Sequence, residues 1–478
     1  MYRFPARIFN DIATQRPPED STVLLGRAAV LGGSIAGLLA ARVLAEYAER
    51  VVIVERDDVT EVTDARPGVP QGNQVHLLLP AGHLQIERWF PGLTEQALEL
   101  GACLATPDAR HTYLDGRRKV RGVDLDMLSA SRPFIEDLLR RRLRDLPNVS
   151  SVRGRATDLR FDGTAVTGVR YETPDGPAPG GAGGPATDTL DADLVVDAMG
   201  RASRLNDWLE RHGWDRAPLT RLVVNINYST AVFRRTEAKP DPVSVLVGSS
   251  PARGSEISGA GLTAVEDDRW MIMLAGYGDC RPGHDAEDMV RRCRTEFPPE
   301  FGRVVEGEML FPVRSFHHAD SRRRDFHRCR RLPAGLVSVG DAVASFNPIY
   351  GQGMSSAALH ASCLSMYLRR RPDLRTPARD FFALQKVVVD AAWGMTAAAD
   401  LARPSVPGPR PRGHRLTSWV ADQIVEATVS DETLNRRLDE VTFMLRHPNA
   451  LATPGTLIRA LNVNRRNRRR SAVSSREP

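Results

Sequence analysis

One pattern near the N-terminus constrains this chain more than any other. An apolar run at 28–31 breaks at Gly32-Gly33, apolar residues suited to a buried helix fill 35–45, and a second apolar run, 51–54, ends in Glu55. Continuous apolar runs bounded by glycine read as strands buried on both faces, the condition of strands in a parallel sheet. Two such strands joined by a helix make a β-α-β unit, so the expected fold class is α/β.

The junction itself, Gly32-Gly33-Ser34-Ile35-Ala36-Gly37, has chemistry built in. Small residues let the backbone approach a pyrophosphate, and the first helical turn offers it free N–H groups. An acid closing the next strand, here Glu55, can bind ribose hydroxyls, and Arg56 beside it is placed in the same site. Ser34 stands where G-x-G-x-x-G has its second glycine. The reading is a dinucleotide site; the alternative is a tight strand-to-helix turn with no ligand.

Charge first points elsewhere. The chain of 478 residues carries a net +6 and a pI near 9.3, which would suit a polyanionic partner. Residues 465–478, however, hold six Arg and one Glu, so the other 464 residues carry only about +1. Nucleic acid is therefore not expected as a partner. The Arg-rich run 322–331 reads as a solvated loop. Five scattered cysteines without a C-x-x-C pair support neither a disulfide framework nor a metal site, and a reducing cytoplasm is expected. The first twenty residues lack an apolar signal core. The stretch 342–368 has no Asp, Glu, Lys or Arg, but Asn347, Gln352, His360 and five serines make it a buried segment and not a membrane span.

The length suits two or three domains. A polar leader, 1–25, precedes a nucleotide-binding domain in two pieces, 26–206 and 331–400. Between them, 207–330 reads as an antiparallel sheet, with strands at 221–228, 242–247, 261–265, 270–274 and 308–316 and a helix at 285–297. Glu266-Asp267-Asp268 forms a hairpin turn, and the Gly/Pro/Ala-rich insertion 174–187 forms a flexible hairpin tip. After a Pro-rich break at 403–413 come helices at 416–427, 431–445 and 454–461 in a C-terminal region, 401–464. The tail 465–478 is expected to be disordered.

A second constellation decides which dinucleotide. The strand 335–339 ends in Gly340-Asp341, and the loop Asn347-Pro348-Ile349-Tyr350-Gly351-Gln352-Gly353-Met354 leads into a helix. This resembles the second FAD fingerprint of flavin monooxygenases of the p-hydroxybenzoate hydroxylase class. In that class the acid binds the ribityl chain and the loop abuts the isoalloxazine. An uncapped helix N-terminus after Gly351 would place N–H groups near the flavin edge that gains negative charge on reduction. The implied cofactor-binding set is Gly32, Gly33, Ser34, Ile35, Ala36, Gly37, Glu55, Arg56, Arg132, Gly340, Asp341, Pro348, Gly351, Gln352, Gly353 and Met354. Ser131-Arg132 resembles the place where the family sets an Arg over FAD.

Asp197-Ala198-Met199-Gly200-Arg201-Ala202-Ser203-Arg204 resembles the family's Asp-Gly turn, with Met199 in place of an acid linked to flavin and NAD(P)H binding. Arg66-Pro67-Gly68-Val69-Pro70-Gln71, the segment around His76 and 347–354 resemble the actinobacterial branch that contains polyether epoxidases.

The resemblance implies a Rossmann-type FAD-binding domain, an antiparallel-sheet substrate domain and a C-terminal helical extension. It implies an FAD-dependent monooxygenase that epoxidises or hydroxylates a polyketide-type small molecule, with O2 and NAD(P)H as co-reactants and no membrane. Met199 keeps a rival in view, a flavoprotein catalysing a non-redox [4+2] cyclisation. No side chain is assigned a catalytic role, because in either reading the protein chiefly orients substrate. His317-His318, on opposite faces of a strand, are not expected to bind metal; His76 either sits near the flavin or simply packs. No Gly-x-Ser-x-Gly elbow supports a hydrolase.

Overall fold

The computed structural model describes residues 4–59, 64–174, 186–250 and 259–474. Helix α1 (Pro5–Ala13) precedes the β-α-β unit, which is realised as β1 (Leu25–Leu31), α2 (Ile35–Leu44) and β2 (Ala48–Glu55). Helix α3 (Arg132–Arg144) leads to β3 (Val149–Arg153), and β4 (Leu194–Asp197) follows. The middle of the chain supplies β5 (Leu219–Arg234), β6 (Ser244–Gly248), β7 (Gly259–Val265), β8 (Arg269–Tyr277), α4 (Ala286–Thr295) and β9 (Met309–Arg324). Then come β10 (Leu336–Ser338), α5 (Gly353–Leu368), α6 (Arg379–Leu401), α7 (His414–Ala427), α8 (Glu432–Thr442) and α9 (Pro454–Ser474).

The first sheet has the order β10-β4-β1-β2-β3, every pairing parallel. Val30 pairs with Val196 on one side and Ile53 on the other, and the core closes over both faces. This accounts for the unbroken apolar runs: neither face of these strands meets water. Each such valine stabilises the fold by roughly 1.5–3 kcal/mol on burial. Helix α5 is buried along nearly its whole length, including Ser355, Ser356, His360, Ser362 and Ser365, which explains its lack of charge. Among the described residues no helix is long and apolar enough to cross a membrane.

The second sheet has eight strands, with β9, β5, β8, β7 and β6 adjacent in that order. Arg110–Leu114 pairs parallel with β6, Arg117–Arg118 extends that edge, and Ala344–Ser345 closes the other. The sheet thus takes in short strands outside 207–330. The β7–β8 hairpin turns at Asp267 and Asp268, both at positive φ (55° and 50°), a conformation Asp tolerates better than most residues. The C-terminal helices dock on the Arg117 edge. Arg117 makes a two-pronged ion pair with Glu426 (2.8 and 2.7 Å), and Asn435 Nδ2 donates to the Val120 carbonyl.

Three expectations are corrected. Residues 1–25 are not merely a polar leader, because α1 buries Phe9 and Ile12 in the main core. Arg322, Arg323 and Arg324 are not a solvated loop but the end of β9. Their charges are met by Asp320, Asp325 and Asp390, and Arg324 donates to the carbonyls of Ala342 and Arg201. The tail is helical through Ser474, continuing α9, because arginine is a good helix former. The tip of the insertion, 175–185, lies outside the described residues; its flanks, Ala165–Thr173 and Ala186–Asp191, pair as an antiparallel hairpin.

Candidate cofactor site

The turn from β1 to α2 is built by glycines at close quarters. Gly32 has φ +107°, and a Cβ there would stand 2.5 Å from the Ala198 carbonyl oxygen. No side chain caps α2, so its first N–H groups stay free for a ligand. Glu55, at the end of β2, accepts the Gly33 N–H at Oε2 (2.7 Å) and the Asp57 N–H at Oε1 (2.9 Å). Ile35 is a core side chain, so only its backbone N–H is available to a ligand. Arg56 is half-exposed and lies beside Gly68.

A buried ion network backs this turn. Glu136 on α3 takes Arg66 at 2.7 Å, Arg140 at 2.8 Å and Arg132 at 3.0 Å, and accepts the Ser34 hydroxyl at 2.5 Å. Arg132 also donates to Ser34 Oγ (3.0 Å), which sets its guanidinium over the glycine turn. Burial alone would raise the Glu136 carboxyl; Arg132, Arg66, Ser34 and Arg140 outweigh it and hold the group down at about 2. His76 sits beside the same charges: Nδ1 bonds the Gln74 carbonyl at 2.8 Å, and burial and Arg132 push the ring down to about 4. Neither Glu136 nor the role of Arg66 was visible as a motif.

The second fingerprint meets the first directly. Gly340 has φ +62°, and a Cβ there would stand 2.5 Å from the Cβ of Ala36. Its N–H donates to His360 Nδ1 at 2.9 Å, which fixes the turn to α5. The Asp341 carboxyl accepts no hydrogen bond among the described residues. Burial raises it above the ordinary range, opposed by Arg132, Arg201 and Arg324, so it shares one electrostatic field with the Arg over the glycine turn.

Beyond Asp341, Asn347 accepts the Ile349 N–H, Pro348 is exposed, and Gly351 takes φ +67°. Gln352 makes no cap to α5; its Nε2 instead donates to the Thr442 carbonyl (2.9 Å), so the expected uncapped N-terminus is present. A Cβ on Gly353 would meet nothing within 4 Å. Met354 packs in the core, leaving its backbone N–H as the only part open to a ligand.

Asp197 ends β4 fully buried, accepting Ser203 Oγ (2.7 Å), Ser338 Oγ (3.0 Å) and the Met199 N–H (3.1 Å). Met199 packs against the core. His317 is exposed and His318 buried, on opposite faces of β9, and among the described residues no cluster could hold a metal ion.

The residues fit a dinucleotide on their own geometry: two glycine turns in contact, two uncapped helix N-termini, an Arg over one turn and an unbonded carboxyl at the other.

A family model described as FAD binding domain matches residues 27–370. Protein Rv3254 of Mycobacterium tuberculosis is 30% identical over 419 residues, 85% of this chain and 87% of that protein. Among solved structures, the flavin-dependent brominase Bmp2 has a TM-score of 0.62 at 16% identity, covering 92% of this chain and 99% of that one. PqsL of P. aeruginosa in complex with 2-aminobenzoylacetate has 0.60 at 18%, covering 83% and 99%. The p-nitrophenol 4-monooxygenase PnpA from Pseudomonas putida DLL-E4 has 0.58 at 17%, covering 90% and 99%. The fold is shared with these proteins, and the extent of the family match shows that the chain belongs to the FAD-binding domain family.

Proposed function

We propose that this chain is an FAD-dependent monooxygenase that epoxidises or hydroxylates a small polyketide-type molecule, using O2 and NAD(P)H. The observation that carries the reading is the contact between Gly340 and Ala36, which brings both fingerprints to one site. In this reading the backbone of Gly32, Gly33, Ser34, Ile35, Ala36 and Gly37 holds the pyrophosphate, with Glu55 at the ribose and Arg56 at the rim. Arg132, Gly340 and Asp341 hold the ribityl chain. Pro348, Gly351, Gln352, Gly353 and Met354 abut the isoalloxazine. FAD, when bound and reduced, supplies the activation of O2.

The chain's own part is to bind, orient and exclude water. The free N–H groups of α5 favour negative charge at the ring edge they face. Met273, Phe316, Ile349 and Trp393, half-buried against the cluster around Tyr228, offer an apolar wall to a lipophilic substrate. Asp320 holds Arg201, Arg221 and Arg322 in place and is itself held down at about 2.

Met199 favours a second reading. An apolar side chain packed where the family carries an acid leaves that position uncharged, as suits a flavoprotein that folds its substrate for a non-redox [4+2] cyclisation. Anaerobic mixing of the yellow holoprotein with NADPH or NADH separates the two. Bleaching of the flavin band supports the oxygenase. Substrate turnover without O2 or reductant rejects it.

A further inference from the structure

Asp400 lies in the last turn of α6 with no exposed surface. Its Oδ1 accepts three hydrogen bonds: from the Tyr350 hydroxyl at 2.8 Å, Asn347 Nδ2 at 2.9 Å and the Tyr277 hydroxyl at 3.0 Å. Asn347 Nδ2 also donates to the Tyr277 oxygen (2.8 Å), and Asn347 Oδ1 accepts the Tyr228 hydroxyl (2.8 Å). Among the described residues Asp400 Oδ2 has no hydrogen-bond partner. The Arg403 guanidinium carbon stands 4.8 Å from the centre of the Tyr277 ring and supplies positive charge to the carboxylate.

Burying a carboxylate costs several kcal/mol unless its neighbours compensate. Three donors on one oxygen and an arginine nearby offset part of that cost, burial still leaving the carboxyl raised above its ordinary value, and what they hold together is specific. Asn347 and Tyr350 bracket the turn that ends at the uncapped N-terminus of α5. Tyr277 and Tyr228 belong to β8 and β5 of the second sheet. One buried charge therefore ties a C-terminal helix, the turn before α5 and the sheet into a single unit. The other end of that turn is also clipped, since Gln352 donates to the Thr442 carbonyl at the end of α8. Both anchors lie beyond residue 370, where the family match stops.

We propose that Asp400 is a positioning residue for the flavin: through Asn347 and Tyr350 it sets the turn that presents the N-terminus of α5 to the ring, and through Tyr277 and Tyr228 it registers that turn against the substrate sheet. The proposal rests on FAD occupying the site as argued under Proposed function. Removing the carboxylate charge but not its shape stabilises the electron-rich, reduced ring. Removing the acceptor altogether frees the turn.

The test compares FAD-loaded native protein with Asp400→Asn and Asp400→Ala, using flavin affinity, the visible circular dichroism of bound flavin and its midpoint potential. Asp400→Asn is expected to keep the native flavin content and dichroism while its potential moves positive. Asp400→Ala is expected to lose the native dichroic band and at least tenfold in FAD affinity. Native affinity, dichroism and potential in Asp400→Ala overturn the proposal. Where Asp400→Ala fails to fold by far-ultraviolet dichroism, an unmoved potential in Asp400→Asn overturns it instead. A native chain that takes up no FAD overturns the reading beneath the proposal, before any variant is compared.

Discussion

The carbonyl oxygen of Gly32 lies 1.8 Å from the position a Cβ on Gly37 would occupy. Helix α2 can approach β1 this closely only because residue 37 has no side chain, and that approach aims the free N–H groups at the turn. Gly37→Ala is therefore expected to push α2 off the sheet. Overpacking of this kind costs about 1–3 kcal/mol, and the displaced N–H groups should lower flavin content as well. Gly353→Ala is the contrast for the stability of the flavin-free chain, since its Cβ would meet no protein atom within 4 Å and alanine suits a helix. Urea unfolding of the flavin-free proteins checks both, and flavin absorbance checks Gly37→Ala; equal unfolding midpoints of the two variants would refute the packing argument.

Glu55 and Asp341 should separate binding from stability. Glu55 already works within the fold, accepting the Gly33 N–H and pairing with Arg66 at 3.2 Å. Glu55→Ala is expected to lower both FAD occupancy and the unfolding midpoint. Asp341 accepts no hydrogen bond among the described residues and pays for its burial. Asp341→Ala is expected to lower FAD occupancy while leaving the flavin-free protein as stable as the native one. Full flavin content in both variants would remove these residues from the site.

What could be read from the chain was local. The unit β1-α2-β2 and the turns at Gly32 and Gly340 are contiguous stretches in which spacing and residue type carry the geometry. The network at Glu136 joins residues 70 apart, and the Tyr228–Asn347 bond spans 119, so no window on the chain contains them. Asp400 had no signal at all, being one acid at the end of an ordinary amphipathic helix. Arg322–Arg324 were misjudged because charge density hid a strand whose counter-charge at Asp390 lies far along the chain. For α1 a signal did exist: Phe9 and Ile12, three apart, mark one helix face.

The Glu136 network makes stability fall in acid. Its carboxyl is held at about 2, against an ordinary value of 4.5. A carboxyl depressed on folding contributes stability fully present above 4.5 and lost as pH falls from there toward 2. The contribution is about 3 kcal/mol at neutral pH. Glu136→Gln is expected to be less stable than the native protein at pH 6 and to lose less on acidification. Urea midpoints at pH 6, 4 and 3 measure this; parallel curves would show that the arginines do not hold the charge.

The basic end of α9 tests whether charge outside the body matters. Arg465, Arg466, Arg468, Arg469 and Arg470 are all exposed, whereas Ala460 and Asn464 are buried, and Asn464 Nδ2 donates to the Gln423 carbonyl at 2.9 Å. Deleting 465–478 removes a net +5 and the bond from Asn467 to Ser430 Oγ, worth about 1 kcal/mol. The anchored part of the helix remains. The shortened protein is expected to keep its flavin content, to be reduced by NAD(P)H at the native rate within twofold, and to elute earlier from a polyanionic resin. A tenfold loss of either flavin or reduction rate would mean that these arginines act on the site, because the anchors at Ala460 and Asn464 remain.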